Sequence, residues 1–271
     1  MNLKKQFIYD PSIEVSASQI GISKWHWIST NSNDPAIARE IMKSNRFDVL
    51  PIINEDGLVT SFFSTQEWNN YENLNKLPIK DTQTIYYRLS FKDLIRKFKN
   101  DQKHFYFLTD YEQILGLVSY VNLNCQLVYN YLFYIIADIE RSISKIIKSY
   151  MSPEEVLNQF SISKDNHLLD LVKEYNKQIE LNSDNDFFQY MYLQTIGIVL
   201  KKFQNNLPIE YKRLLKFASK FGSEGTYNLI RRKVMHPIRP ILSDIKSIDQ
   251  IDELLSDYEE IRNIIEKVND K

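Results

Sequence analysis

Residues 1–122 repeat one order of elements, whereas the residues after them carry only helical patterns. A short strand at residues 25–28 is predicted to start the first copy. Trp25 and Trp27 point to one face of it and are predicted to pack in the core, with base-stacking platforms as the alternative. Each copy then has a helix, opened by Asp34-Pro35 in the first and by Ser90 in the second. Two strands follow each helix, at residues 47–53, 58–64, 104–108 and 113–119. This repeat, with a period of about 55 residues, predicts an α/β domain built from two similar halves.

The rest of the chain is predicted to be a bundle of helices. Apolar residues recur every three or four positions between residues 122 and 150, which indicates one long helix. Capping boxes at Ser152 and Ser247 are predicted to open two more helices. Further helices are predicted at residues 165–181, 184–204, 208–220 and 226–236. The predicted fold class is therefore α+β, with an α/β domain at residues 1–122 and an all-α bundle at residues 123–271.

Composition argues against several classes of protein. Only six residues are glycine, which argues against a glycine-rich phosphate loop. The 34 lysines and arginines nearly balance the 35 acidic residues, so a nucleic-acid partner would need a local basic patch. The single cysteine, Cys125, excludes an internal disulfide and favours a reducing, cytoplasmic location. No histidine cluster completes a zinc site and no apolar run is long enough to span a bilayer, so neither metal nor membrane is expected.

The two copies of the repeat resemble CBS motifs. The first is AREIMKSNRFDVLPIINEDGLVTSFFS at residues 38–64, and the second is FKDLIRKFKNDQKHFYFLTDYEQILGLVSYVN at residues 91–122. Two such motifs form the nucleotide-sensing pair called a Bateman module. The resemblance implies that an adenosine nucleotide acts as a regulatory ligand, held where the last strand of a motif meets the next helix.

The nucleotide-binding residues that this resemblance implies are Ser64 and Glu67 in the first copy and Ser119 and Asn122 in the second. In the family, a hydroxyl residue is followed after two spacers by an aspartate; here Glu67 and Asn122 replace it. The hydroxyl can bond a phosphate, and the carboxylate or amide oxygen can accept from ribose hydroxyls. The alternative is that Ser64 and Ser119 are only helix N-caps.

The run YNLIRRKVMHPIRP at residues 227–240 contains Arg231 and His236 in the spacing R-x4-H. In its all-helical context, late in the chain, this run resembles the HEPN superfamily, many of whose members are metal-independent RNases that act as dimers. The residue after the family's arginine is most often Asn or another small polar residue, whereas here it is Arg232. This departure leaves a catalytically inactive helical domain as an alternative.

RNA cleavage by such a site needs a base for the 2′-hydroxyl proton, an acid for the leaving oxygen and cations for the phosphorane charge. Imidazole suits both proton roles, and a two-fold dimer would supply two copies of His236 beside two copies of Arg231. No cofactor is needed for this catalysis. The alternative for His236 is a buried or capping histidine. Glu140 and Arg141 are candidates for orienting the site or for forming a surface ion pair.

A basic segment surrounds these residues, with eight lysines and arginines and one acid between residues 211 and 240. Within it, Arg232, Lys233 and Arg239 are the predicted RNA contacts. From residue 241 onward the balance reverses to nine acids and four bases. The alternative is that the basic residues lie on solvated helix faces or pair with the acidic last helix.

Two functions follow from these patterns. The first is a nucleotide-regulated, metal-independent endoribonuclease that acts as a homodimer, with a toxin or antiphage effector as its role. The second is a non-catalytic, nucleotide-sensing regulator whose helical domain serves dimerisation or RNA binding. The expected partners are RNA, a small nucleotide and a second copy of the chain, without DNA. The absence of glycine and proline between Asn122 and Tyr150 predicts that the long helix transmits nucleotide occupancy to the bundle.

Overall fold

The computed structural model describes residues 15–65, 70–163, 165–181, 186–236, 240–243 and 245–269. These residues form two compact units, which separate between Val128 and Tyr129. The predicted boundary after residue 122 lies six positions earlier. Strands occur among the described residues only before Val128, so the fold is a mixture of α and β elements, with helices alone in the second unit.

The N-terminal unit contains all seven strands of the described residues and three α-helices, with two short 3₁₀ helices at Asp81–Gln83 and Val121–Asn124. In chain order they are α1 (Ala17–Ile20), β1 (Ile22–Ser23), α2 (Pro35–Asn45), β2 (Val49–Ile53), β3 (Val59–Thr65), β4 (Leu74–Pro78), β5 (Thr84–Tyr86), α3 (Phe91–Asp101), β6 (Phe105–Thr109) and β7 (Ile114–Ser119). The strands form one sheet in the order β1-β7-β6-β5 and another in the order β2-β3-β4. Phe62 of β3 packs 5.3 Å from Phe107 of β6, ring centroid to ring centroid, so aromatic side chains join the two sheets.

Matching backbone features confirm the internal repeat. The N-caps of α2 and α3 are Asp34 and Ser90, whose side chains accept from the backbone N–H groups of Ala36 and Asp93. Both helices end at a residue with positive φ. The two central hairpins, β2-β3 and β6-β7, both contain a register shift. The equivalent pairs are Asp34 and Ser90, Arg46 and Gln102, and Ile52 and Leu108, each 56 positions apart.

The strand predicted at residues 25–28 is wrong. The strand ends at Ser23, and residues 24–26 form a turn. Trp25, predicted in the core, is 81% exposed, while Trp27 is half-buried with its ring 6.4 Å from that of Phe107. The strand that pairs with β7 is Ile22–Ser23 instead, because β1 can approach β7 closely at Gly116. Any side chain at position 116 would clash with the carbonyl of Ile22.

The second unit is helical throughout its described residues. Its α-helices are α4 (Gln126–Tyr150), which begins in the first unit, α5 (Pro153–Ser161), α6 (Asn166–Glu180), α7 (Leu193–Lys202), α8 (Thr226–Val234) and α9 (Ile245–Asn269). Two 3₁₀ helices, Phe187–Tyr190 and Tyr211–Phe217, lie between them. Among the described residues, no helix combines the length and apolarity needed to cross a membrane.

Three predicted helices in this unit differ from the structure. The helix predicted at residues 184–204 is a 3₁₀ turn followed by α7, because the chain restarts at Leu193 with an acceptor from α4 for its backbone N–H. The helix predicted at residues 208–220 is a 3₁₀ helix over Tyr211–Phe217. Ser247 does not open α9, which begins two residues earlier at Ile245. The Ser247 hydroxyl oxygen instead accepts from the backbone N–H of Ser243, which precedes the helix, and lies 3.3 Å from the Ser243 hydroxyl.

Candidate functional site

The N-terminal unit contains a cleft of about 470 Å³, lined by residues from both copies of the repeat. Its apolar wall includes Ile22, Trp27, Ile28, Phe47, Val49, Phe105 and Leu117. Its polar and charged lining consists of His26, Asn45, Arg46, Asp48, His104, Ser119, Tyr120 and Asn122. An apolar cavity of this size with a few converging polar groups is the usual form of a small-molecule site.

Ser119 and Asn122 lie together in this cleft and are bonded to each other. The Oδ1 of Asn122 accepts from the Ser119 backbone N–H at 2.8 Å and from the Ser119 hydroxyl at 2.9 Å. A backbone N–H can only donate, so this contact fixes which end of the amide is the oxygen. The Nδ2 of Asn122 has no partner among the described residues. Asn122 therefore offers the cleft a hydrogen-bond donor, whereas the CBS resemblance implied that its amide oxygen accepts from ribose hydroxyls.

The first copy of the motif is not assembled in the same way. Ser64 lies in β3, and its hydroxyl donates to the carbonyl of Thr65 at 3.1 Å. Ser64 is not among the residues that line the cleft. Glu67 lies outside the described residues. Of the four predicted nucleotide contacts, the structure thus brings together Ser119 and Asn122.

Sequence reasoning missed five charged or titratable side chains that line the cleft: His26, Arg46, Asp48, His104 and Tyr120. Asp48 and His104 stand just before β2 and β6, at positions 56 residues apart, so they are equivalent in the two copies. Arg46 sits at the C-cap of α2 with a left-handed backbone. An alignment of the two copies would have identified Asp48 and His104, since each is the polar residue that directly precedes a central strand.

Arg231, in the last turn of α8, is held by two residues from elsewhere in the helical unit. Its Nε lies 3.4 Å from Oε1 of Glu140 on α4, and its guanidinium lies 4.8 Å from the ring centroid of Tyr192. The same Glu140 oxygen accepts from the backbone N–H of Leu193 at 3.1 Å, so it also caps the start of α7. Both charged side chains are largely removed from water, at 25% and 18% exposure for Arg231 and Glu140.

The electrostatics of Glu140 combine opposing effects. Burial raises the pKa of its carboxyl group, while the positive charge of Arg231 and the hydrogen bond from Leu193 lower it. Burial prevails, so the pKa lies above its ordinary value. Glu140 was a candidate for orienting the predicted site, and in the structure it does contact Arg231.

His236 lies beyond the end of α8 and is exposed to solvent. Its backbone N–H donates to the carbonyl of Lys233 at 3.1 Å. Among the described residues, no hydrogen bond or ion pair joins its imidazole to Arg231, which faces Glu140 and Tyr192 instead. The histidine is therefore accessible, rather than buried as in the alternative interpretation, but it is not paired with the arginine within one protomer.

The predicted RNA contacts are bonded to the protein itself. The Nη2 of Arg232 donates to the carbonyl of Ser223 at 2.6 Å, and the Nζ of Lys233 donates to the carbonyl of Ile241 at 2.9 Å. Arg239 lies outside the described residues. Arg232 and Lys233 thus already use some of their N–H donors in hydrogen bonds to backbone carbonyls.

The acidic last helix pairs with several cations of the basic segment. Lys216 and Arg213 contact Glu260, and Lys220 contacts Glu253 at 2.8 Å and also Asp257. Asp257 accepts from the hydroxyl of the fully buried Tyr227 at 2.9 Å. Burial raises the pKa of Tyr227, and the charge of Asp257 raises it further. For these residues the structure therefore has the pairing that the sequence left open as an alternative.

Metal ligands are not clustered in the described parts of the chain, where no group of three or more His, Cys, Asp or Glu side chains is arranged to hold an ion.

No model of a known protein family matches the chain, and no curated protein matches it in sequence. Among solved structures, similarity extends to an uncharacterized conserved protein from Pyrococcus horikoshii, with 16% identity and a TM-score of 0.33 over 41% of this chain and 90% of that one. Hypoxic Response Protein I, solved with two coordinated zinc ions, has 13% identity and a TM-score of 0.31 over 40% and 96%. A hexameric CBS-CP12 protein from bloom-forming cyanobacteria has 14% identity and a TM-score of 0.31 over 61% and 96%. The similar structures thus include a CBS protein, and the HEPN resemblance of the helical half stays a prediction.

Proposed function

We propose that this chain is a nucleotide-sensing regulatory protein whose N-terminal unit binds a nucleoside phosphate in the cleft at Ser119 and Asn122. The observation that carries this proposal is the half-buried Ser119–Asn122 pair at the end of β7, inside a cavity shared by the two copies of the repeat. The apolar wall suits a base, and the volume of about 470 Å³ is within the range of small-molecule sites.

The polar lining favours a ligand with acceptor atoms. The free amide hydrogens of Asn122 can donate to a phosphate or keto oxygen, and Arg46 supplies a positive charge in the same cleft. His26 and His104 add imidazole nitrogens that can form further hydrogen bonds to a ligand. Asp48 is the carboxylate among the lining residues and is suited to accept from a hydroxyl or amino group of the ligand.

The ligand's effect would pass to the helical unit through α4. This helix begins at Gln126, four residues after Asn122, and continues to Tyr150 without glycine or proline. Coupling requires two states of the protein with different affinity for the ligand. The helical unit would then serve as a non-catalytic output, through dimerisation or nucleic-acid binding.

Matched variants in the two copies of the repeat test this proposal. AMP, ADP, ATP and inorganic phosphate are titrated by calorimetry into the full-length wild type, Ser119→Ala and Ser64→Ala. Removing the Ser119 hydroxyl takes away one of the two hydrogen bonds that hold the Asn122 oxygen and leaves the one from the Ser119 backbone N–H, so the amide is held less firmly. Binding should weaken about ten-fold, the cost of roughly one hydrogen bond. Ser64→Ala binds as the wild type does, because Ser64 is outside the cleft. Equal effects of the two variants, or no binding of any nucleotide, would overturn the proposal.

A second candidate is the dimeric, metal-independent endoribonuclease, with a toxin or antiphage role. The observation that favours it is the exposed imidazole of His236, two residues beyond the end of α8, the helix that carries Arg231. Wild type is incubated with mixed RNA in EDTA, with and without nucleotides, beside His236→Ala, Arg231→Ala and the exposed neighbour control Met235→Ala. Cleavage by wild type and Met235→Ala alone, leaving 2′,3′-cyclic phosphate ends, supports this activity. RNA that stays intact under every condition excludes it.

A further inference from the structure

The helical unit contains a second cavity of about 530 Å³, between α4 and residues 186–192. We call it the α4 groove. The residues that matter to its chemistry are Glu140, Arg141, Lys145, Lys148, Asp186 and Tyr192. None of them belongs to the basic segment that the sequence pointed to as the site of RNA contact.

The charges of the α4 groove leave a positive excess. Its two acids are already paired, Glu140 with Arg231 at 3.4 Å and Asp186 with Lys148 at 2.7 Å. Arg141 and Lys145 are exposed, and neither has an ion-pair partner among the described residues. Two unpaired cations beside a concave surface favour an anionic ligand.

The cations form a row along one side of α4. Positions 141, 145 and 148 are spaced by four and three residues, which places their side chains on the same helix face. At a rise of 1.5 Å per residue, the two unpaired members of the row, Arg141 and Lys145, lie about 6 Å apart along the helix, while Lys148 is paired with Asp186. Two cations at this spacing can contact successive phosphates of one strand.

An aromatic ring lies at the edge of the same groove. The side chain of Tyr192 is 52% exposed, and Arg231 lies over its ring at 4.8 Å from the centroid. A positively charged groove beside an exposed aromatic ring is the combination that binds single-stranded nucleic acids, with phosphates on the cations and a base stacked on the ring.

We infer that the α4 groove binds a single strand of nucleic acid, with its phosphates on Arg141 and Lys145 and a base on Tyr192. This binding requires neither a ligand in the N-terminal cleft nor cleavage chemistry at His236. It assigns nucleic-acid contact to the face of α4 rather than to Arg232 and Lys233, whose donors already bond backbone carbonyls.

The test is fluorescence anisotropy of the full chain with a labelled oligouridylate and, separately, a labelled oligothymidylate of the same length, which distinguishes RNA from DNA. Removing both cations in R141Q/K145Q is expected to weaken binding about ten-fold for either strand. The slope of log Kd against log salt should become shallower by about 1.4, because each phosphate contact on a single strand contributes about 0.7.

The matched control is K201Q/K202Q, which removes two exposed lysines at the end of α7 in the same unit. This control variant should keep its affinity within two-fold of wild type and its slope of log Kd against log salt unchanged. That result would show that the loss of net charge alone does not explain the effect. Tyr192→Phe should retain binding while Tyr192→Ala loses it, because only the ring is needed for stacking. Equal losses in the two double variants, or no binding of either strand by wild type at about 50 mM salt, overturn the inference.

Discussion

The basic segment at residues 211–240 and the α4 groove are both rich in cations, but these cations differ in how far they are already paired. In the basic segment, Lys216 and Lys220 pair with acids of α9, while Arg232 and Lys233 donate to backbone carbonyls. In the α4 groove, Arg141 and Lys145 have no acid left to bind among the described residues, because Glu140 is paired with Arg231 and Asp186 with Lys148.

This comparison of the basic segment with the α4 groove shows that a count of charges along the sequence does not identify a binding surface. The eight cations between residues 211 and 240 stand out, yet the acids that pair with several of them lie 30 to 45 residues further along the chain. Arg141 and Lys145 do not stand out, because the 25 residues of α4 contain only three cations together with two acids. Availability depends on partners that only the fold brings into contact.

The largest effect is expected where the basic segment and α9 meet. Asp257→Ala removes the acceptor of the buried Tyr227 hydroxyl and one of the two acids paired with Lys220, which keeps Glu253. The free energy of unfolding should fall by about 3 kcal/mol, because a buried donor loses its acceptor and a partly buried ion-pair network loses one of its charges. Urea denaturation of the full chain measures this change. Glu266→Ala, which removes the partner of Arg262 at the surface, is the control and should cost less than about 0.5 kcal/mol.

If Asp257→Ala and Glu266→Ala cost the same, the ion pairs of the basic segment are solvated contacts, and the contrast with the α4 groove disappears.

A smaller effect is expected at Glu140. Glu140→Ala removes both the Arg231 contact and the acceptor for Leu193, so it should lower the free energy of unfolding by about 2 kcal/mol. Glu140→Gln keeps an amide oxygen for Leu193 and should cost about half as much. Both changes release Arg231 and so should tighten oligonucleotide binding by the α4 groove. Weaker binding by Glu140→Gln would show that Glu140 holds Arg231 in the binding geometry.

The smallest effect concerns alkaline pH. The folded-state pKa of Tyr227 is raised, first by burial and then by Asp257, whereas in the unfolded chain its phenol titrates near 10. The unfolded state therefore loses the proton first, and the stability contributed by Tyr227 falls as pH rises above about 10. Tyr227→Phe should reduce the pH dependence of the unfolding free energy above this point by up to about 1.4 kcal/mol per pH unit. An unchanged dependence would show that the phenol also ionises in the folded protein.

The local signals of the sequence predicted many element boundaries correctly. Asp34, Ser90 and Ser152 were predicted as N-caps, and each accepts a backbone N–H at the start of its helix. A cap depends on residues within one turn, so the sequence contains all that is needed to predict it. The repeat was predictable for the same reason, since each copy contains its own caps and hairpin.

The missed elements depend on partners distant in sequence. The strand β4 has only one half-buried residue, Leu74, and its polar sequence lies against β3. The strand β5 has three residues and is defined by its parallel pairing with β6. Neither has the alternating apolar pattern that indicates a strand, so only their neighbours in the sheet define them.

The candidate sites were predictable in part. The Ser119–Asn122 pair follows from a short motif, and the structure brings the two residues together. The orientation of the Asn122 amide could not be predicted from this motif, because it depends on whether the amide oxygen or the amide nitrogen faces the Ser119 backbone N–H. The pairing of Arg231 with Glu140 joins residues 91 positions apart, and it required the packing of α8 near α4 to become visible.

The division between the two units falls within α4, and this affects how the chain can be cut. Most domains are joined by an extended linker that a protease can bind and cleave. Here Val128 and Tyr129 are consecutive residues of a continuous helix, and both are buried. Cleavage at this bond would first have to unwind a helical turn. Fragments prepared to study either half should therefore end before Gln126 or begin there, so that the whole of α4 stays with one piece.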